Sequence, residues 1–239
     1  MITIKNLYKK FGKVEVLKNL DLSIQPKSDT GSIFAVLGPN GSGKTTLIKS
    51  ILGMVIPNKG SIVIDGKNIL RKYEYRNNIN YLPQIASFPA NLSVEELFKM
   101  VKNLRAKPAN EIELIELFNL SPFLDKKLGN LSGGTKQKVN IALTFMFNSP
   151  IIILDEPTTG LDPISLVNLR KLIAKEKENG KTILITSHIM SFVEEVADEI
   201  VFLLDGKIYF KGTLDELKSE TGQINLEHAI AAILTKENV

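Results

Sequence analysis

The chain of 239 residues contains no cysteine. Disulfide frameworks, thiolate metal centres and a cysteine nucleophile are therefore excluded, and the composition suits an intracellular protein. Charge of one sign is not in marked excess: 30 Lys and Arg stand against 26 Asp and Glu, a formal net charge of +4. The basic residues are scattered rather than gathered in a stripe, so no nucleic-acid partner is expected. A mildly basic surface still suits an acidic partner or an anionic membrane face. No apolar run approaches the ~20 residues that span a bilayer, and the first seven residues lack the apolar stretch of a secretory signal. Work at a membrane would need another anchor. Repeats, low-complexity tracts and long linkers are missing as well.

What remains is 44% hydrophobic, enough to bury the core of one large α/β domain, or of a core with a smaller lobe. Ile2, Ile4 and Leu7 read as a short apolar edge, and residues 14–17 and 20–24 as imperfectly alternating strand segments. Residues 26–31 read as a turn. The unbroken apolar run 32–37 predicts a strand buried on both faces. After a glycine-rich loop, 46–52 has helical spacing and stops at Gly53. Residues 61–65 and 79–82 read as further strands. From about 93 to 147 the period becomes helical. Val94, Leu97, Phe98 and Val101 share a face, Ile112, Ile115, Leu117 and Phe118 continue the pattern, and a third helix begins near Ser132. Strands are then expected at 151–154, 182–186 and 200–204, with helices at 164–178 and 191–197 between them. Asp205-Gly206 signals a tight hairpin into 208–210. These elements predict a core over 1–84 and 150–212, a helical lobe over 85–149 set into it, and C-terminal helices over 213–239.

Gly38, Pro39, Asn40, Gly41, Ser42, Gly43, Lys44 and Thr45 spell G-x-x-x-x-G-K-[ST], between a buried strand and a helix. Phosphate is crowded and anionic. Glycines let the backbone wrap it and turn amides inward, and the helix that follows through Thr46 adds its positive end. Lys44 supplies a mobile cation for the β- and γ-phosphates of ATP, and the Thr45 hydroxyl is a ligand for Mg²⁺. The bland alternative, a glycine-rich turn with an incidental lysine, does not account for the strand–loop–helix setting.

Asp155 and Glu156 close the apolar run 151–154. Functional acids belong at the carboxyl ends of such strands. Alternation along a strand turns successive side chains to opposite faces, which predicts separate tasks. Asp155 is expected to hold Mg²⁺, through water, and Glu156 to polarise the attacking water as general base.

Further motifs narrow this. Leu131, Ser132, Gly133, Gly134, Thr135, Lys136 and Gln137 resemble the signature motif of ABC-type ATPases, just upstream of Asp155-Glu156. Gln84 resembles that family's Q-loop glutamine, Gly160-Leu161-Asp162 its D-loop and His188 its switch histidine. The motifs follow the family's order along essentially the whole chain. The resemblance implies an α/β P-loop NTPase core with an N-terminal antiparallel β subdomain and an inserted α-helical subdomain. It implies a head-to-tail dimer in which Ser132, Gly133, Gly134 and Thr135 cap the γ-phosphate held by the partner's loop. A helix opening at Ser132–Gly134 is also a second anion cradle on physical grounds. By the same resemblance, Gln84 joins Thr45 and Asp155 around Mg²⁺ or meets the attacking water, and His188 contacts the γ-phosphate. Phe11 is similar to the aromatic that stacks on adenine, often Tyr in relatives, with Val16 packed beside the ring. Thr135 departs from the family pattern, where Gln is commonest, and the turn over 25–30 is a few residues longer than usual. His228 carries no assigned role.

The function so implied is an ATP-hydrolysing subunit of an ABC transporter. It would work as a homodimer under a separate transmembrane permease, on the cytoplasmic face, in an export or extracytoplasmic maturation system. A permease helix is expected in the groove between core and lobe near 88–95. With no appended regulatory domain, an importer subunit is the less favoured form. The rival reading is a soluble ABC ATPase acting on ribosomes or DNA. Such relatives carry two cassettes or long coiled coils, and neither is seen here.

Overall fold

Residues 1–26 and 30–237 are described in the structure, a computed structural model. The turn expected over 26–31, with its extra length, falls mainly on residues outside this range. The chain begins with β1 (Ile2–Phe11), β2 (Val14–Ile24), β3 (Ser32–Leu37), α1 (Lys44–Ile51), β4 (Lys59–Ile64), β5 (Lys67–Asn68) and β6 (Ile79–Leu82). Three helices follow: α2 (Val94–Arg105), α3 (Glu111–Leu117) and α4 (Gly133–Phe145). Then come β7 (Ile151–Asp155), α5 (Pro163–Glu178), β8 (Thr182–Thr186), α6 (Met190–Val196), β9 (Glu199–Leu204), β10 (Lys207–Gly212), α7 (Leu214–Thr221) and α8 (Leu226–Glu237).

The strands form two sheets. One is antiparallel, in the order β2-β1-β4-β5. The other runs β10-β9-β3-β8-β7-β6, parallel except for β10. Its central strands are apolar at nearly every position because both faces are covered. In β7, Ile152 and Leu154 face the cluster that contains Phe98, Phe118 and Phe145 of the helical lobe. Ile151 and Ile153 face the antiparallel sheet and α1, beside Ile4, Leu47 and Ile48. Each such side chain contributes ~1.5–3 kcal/mol on burial, which fixes β7 between the two layers. Leu37 and Phe202 pack under Leu217, Leu226 and Ile230 of the two C-terminal helices.

Several expectations need correction. β2 is one strand, not two segments; Asn19 takes a left-handed φ of 53° inside it, next to a register shift. Such an irregularity breaks the alternation by which a strand is read from sequence. α1 begins at Lys44, two residues before its apolar periodicity, because the first turn is selected for phosphate chemistry. Ile112 does not face the core: it is 69% exposed, while Leu114 is buried in its place. The short α3 presents Leu114 and then Phe118 inward, a phase that its four apolar residues left open. At Asp205-Gly206 both residues have positive φ, 43° and 76°, the type I′ geometry expected of a two-residue hairpin.

The lobe meets the core at a buried polar joint. Asn80 of β6 is 1% exposed. Its Nδ2 donates to the Phe147 carbonyl at 2.7 Å. Its Oδ1 accepts from Arg105 Nη1 at 2.8 Å and from Ser149 Oγ at 2.9 Å. Arg105, the last residue of α2, also donates to the Ile79 carbonyl and stacks 5.0 Å above the Phe147 ring. Asn80→Leu keeps the volume but strands three partners, the buried Phe147 carbonyl and Ser149 hydroxyl and the half-buried Arg105, so the expected loss is about 2–4 kcal/mol of stability. A urea unfolding midpoint equal to that of the unsubstituted protein would refute this account of the joint.

Candidate functional site

The carboxyl ends of β3, β6, β7 and β8 open on one side of the parallel sheet, where ligand sites of open α/β sheets lie. A cavity of about 370 Å³ sits there. Asn40, Gly41, Gly43, Lys44, Thr45 and Thr46 line it from the loop after β3, and Gln84, Asp155, Glu156 and His188 from the other three strand ends. Val14 and Val16 of β2 form its apolar wall. A second cavity of about 310 Å³ lies against the C-terminal end of α1 and has no carboxylate in its lining.

Close packing sets the path of the loop. A Cβ on Gly38 would fall 2.0 Å from the Leu203 carbonyl oxygen, so the chain can pass the end of β9 there only as glycine. Gly38, Pro39 and Ser42 do not line the cavity. Gly43 precedes α1 with no side-chain cap, which leaves the first amides of that helix without intrahelical partners. Lys44 Nζ donates to the carbonyls of Gly38 at 2.7 Å and Pro39 at 3.0 Å. Burial lowers the pKa of its ammonium, against the opposing pull of Glu156 and Asp155. The Ser42 hydroxyl oxygen is buried without a hydrogen-bond partner among the described residues.

The carboxylates differ from the alternation expected of them. β7 ends at Asp155, and Glu156 has a left-handed φ of 51°. Such a conformation costs an L-residue of order 1–3 kcal/mol and turns Glu156 into the same cavity as Asp155. Thr186 of β8 holds the arrangement. Its Oγ1 donates to Asp155 Oδ1 at 2.6 Å. Its Oγ1 and carbonyl oxygen both accept from the Glu156 amide at 3.1 Å. Glu156 Oε2 accepts from the His188 amide at 3.2 Å. His188 Nε2 lies 3.1 Å from Oε1 but is not aligned to donate, and Oε1 accepts no hydrogen bond among the described residues. Burial pushes the Glu156 carboxyl above the usual glutamate range, although His188 and Lys44 pull the other way. A group of that kind is suited to accept a proton from water.

The site thus gathers a phosphate loop, two carboxylates, an amide and an imidazole. Its oxygen donors, the Thr45 hydroxyl, the Asp155 carboxylate and the Gln84 amide oxygen, form a hard set that fits Mg²⁺. Phe11 stands just outside this lining. It pairs with Val14 across the β1–β2 turn, is 50% exposed, and has Lys9 Nζ 4.7 Å above its ring. Ser132, Gly133, Gly134 and Thr135 do not line the cavity. Ser132 caps α4, accepting from the Thr135 amide at 3.2 Å, and its hydroxyl lies 2.9 Å from that of Thr135. Asp162 caps α5 through Ser165 and pairs with Lys138 at 2.6 Å. Lys138 and the Ser165 contacts hold its carboxyl well below the usual range. The sequence reading missed Thr186 and Val14. A threonine at the end of an apolar strand carries no motif signal, and Val14 is one apolar position among many in β2.

The family model described as ABC transporter matches residues 17–159. Over 231 residues the chain is 36% identical to the lantibiotic transport ATP-binding protein SrtF of Streptococcus pyogenes, covering 95% of this chain and 94% of that protein. A solved structure of the ATP-binding subunit of an ABC transporter aligns with a TM-score of 0.88 at 30% identity, over 97% of this chain and 98% of that one. A dimeric bacterial ABC transporter cassette aligns with a TM-score of 0.79 at 26% identity, over 90% and 99%. The chain belongs to the ABC transporter family as one of its ATP-binding, ATP-hydrolysing subunits.

Proposed function

We propose that this subunit drives a separate transmembrane permease, in the export direction, by closing as a dimer around two ATP molecules and opening on hydrolysis. One observation carries the reading. A single cavity collects Lys44, Thr45, Gln84, Asp155, Glu156 and His188, while Ser132–Thr135 stand outside it at the start of another helix. Each chain then offers one nearly complete site and one detached cap, and a second copy supplies what the first leaves open. The relative named for lantibiotic transport supports a transport role, and the dimeric cassette supports the pairing.

In this reading the amides at the start of α1 take the β-phosphate, and Lys44 turns from the Gly38 and Pro39 carbonyls to the β- and γ-phosphates. Thr45, Asp155 and Gln84 would hold Mg²⁺, which would supply charge neutralisation of the phosphates. Glu156 accepts the proton of the water that attacks the γ-phosphorus. The bond from that phosphorus to the β,γ-bridging oxygen breaks, and ADP and phosphate leave. His188, 3.1 Å from Glu156, steadies the carboxylate and reaches toward the γ-phosphate. Phe11 stacks on adenine above Val14 and Val16. The partner's Ser132–Thr135 amides meet the same γ-phosphate from outside, with Asp162 near the joint.

No helix among the described residues is long and apolar enough to cross a membrane, so attachment at the cytoplasmic face falls to the permease. Its helix is placed in the groove near 88–95. Ile85, next to Gln84, is 81% exposed and is the kind of side chain a docked helix covers. Contact there would reach the hydrolytic site through Gln84.

Glu156→Gln is expected to bind ATP, slow hydrolysis by ~10²–10⁴-fold, and accumulate as a dimer on size-exclusion chromatography with ATP. Normal turnover in that variant would rule out Glu156 as the base. Lys44→Ala removes charge-assisted contacts worth about 1.5–3 kcal/mol, so the affinity for a fluorescent ATP analogue should fall by roughly tenfold to over a hundredfold. Unchanged affinity on titration would contradict the role given to Lys44.

A further inference from the structure

α4 carries two buried side-chain amides that the hydrolytic roles leave unused. Gln137 is 7% exposed and Asn140 is 4% exposed, and at a spacing of three they share one face of the helix. Gln137 Nε2 donates to the Pro157 carbonyl at 3.1 Å. Asn140 Nδ2 donates to the Pro83 carbonyl at 3.2 Å. Both acceptors are prolines, and both adjoin a residue of the site: Pro83 precedes Gln84, and Pro157 follows Glu156.

Backbone geometry makes these anchors effective. The Pro83 carbonyl lies in the same rigid peptide plane as the nitrogen and Cα of Gln84, so fixing that oxygen fixes where Gln84 leaves the strand. The Pro157 carbonyl belongs to the next plane after Glu156. The proline ring locks φ between the two planes, so one soft torsion remains. Gln137 thus restrains the backbone just after Glu156, while Thr186 holds the Glu156 amide. Two further contacts tie the start of α4 to the same stretch. A Cβ on Gly134 would lie 2.7 Å from the Gly160 carbonyl oxygen, and Lys138 pairs with Asp162 at 2.6 Å.

We propose that Gln137 and Asn140 are positioning residues: through the Pro157 and Pro83 carbonyls they make the helix opened by Ser132 set the placement of Glu156 and Gln84 in the same chain. This rests on the ATPase roles proposed above for Glu156 and Gln84.

The test compares the full chain with Gln137→Met and Asn140→Leu, which keep the bulk and remove the donors. Thr144→Val is the control. It loses a hydroxyl on the same helix that donates to the Asn140 backbone carbonyl at 2.8 Å and lies 3.4 Å from the Tyr81 carbonyl; the Asn140 side-chain donor stays, and neither carbonyl flanks a site residue. Steady-state ATPase kinetics and thermal unfolding are measured for each. For both amide variants kcat is expected to fall about tenfold, because small misplacements near reacting atoms cost rate steeply, with the KM for ATP within about twofold. The control is expected to lower Tm and leave kcat unchanged. Gln137→Ala and Asn140→Ala remove the same donors without adding bulk and carry the test if the isosteric variants do not fold. A kcat within twofold of the parent in the amide variants, or the same loss in Thr144→Val, overturns the proposal. A parent chain that hydrolyses no ATP overturns instead the ATPase roles beneath it.

Discussion

The site depends on one buried hydroxyl. Thr186 is 1% exposed and lies directly opposite Asp155 in the β7–β8 ladder. Its Oγ1 orients Asp155, and the same oxygen, with the Thr186 carbonyl, receives the Glu156 amide. The left-handed turn at Glu156 exists because its amide has two acceptors waiting at the end of the neighbouring strand. Two residues further along the chain, the His188 amide reaches the Glu156 carboxylate. A one-residue slip between β7 and β8 would turn every one of these groups to the wrong face. That register is held by Ile151–Leu154 and Ile183–Ile185, which are wedged between two apolar layers. The chemistry is therefore placed by hydrophobic packing well below it.

The nucleotide side follows the same logic with a different device. β3 ends deep in the sheet, and the chain must double back past Leu203 before α1 can start. Only a loop without side chains at the close approaches can do so. The buried Ser42 hydroxyl, the uncapped start of α1 and Glu156 Oε1 all lack hydrogen-bond partners here. Buried polar groups left unpaired are costly, and two of them are Glu156 Oε1 in the cavity and the Ser42 hydroxyl in the loop that borders it.

Most of this was legible in the sequence, and the gaps have identifiable causes. The loop 38–45, Asp155 and Glu156 stand out by residue type and spacing and Gln84 and His188 by family likeness, and the cavity gathers Asn40, Gly41, Gly43, Lys44 and Thr45 of the loop with those four side chains. The alternation that placed Asp155 and Glu156 on opposite faces failed because a single left-handed residue ends β7, and no side-chain pattern records a backbone sign change at glutamate. Thr186 was read only as a strand residue, since its role lies in which strand it faces. Ile112 was misplaced because three apolar neighbours allow two helical phases, and the choice is made by packing against α4. Phe11 was matched by family likeness, and the structure sets it at the rim beside Val14 rather than in the wall.

A dimer that traps nucleotide at its joint must solve a mechanical problem: closing the cap must also complete the catalyst. If the cap and the catalytic groups were carried by independent elements, each could close without the other, and hydrolysis could begin in an open site. The wiring of α4 argues against independence. Its first turn meets Gly160, and its second reaches Pro157, Asp162 and Pro83. These contacts are a close backbone approach, two neutral hydrogen bonds and one partly buried ion pair, none of them strong alone. A neutral hydrogen bond contributes ~0.5–1.5 kcal/mol net. Spread over about two turns of one helix, however, they act together. Rigidity along α4 rather than strength at any one contact is what can carry a closure signal from one nucleotide to the next.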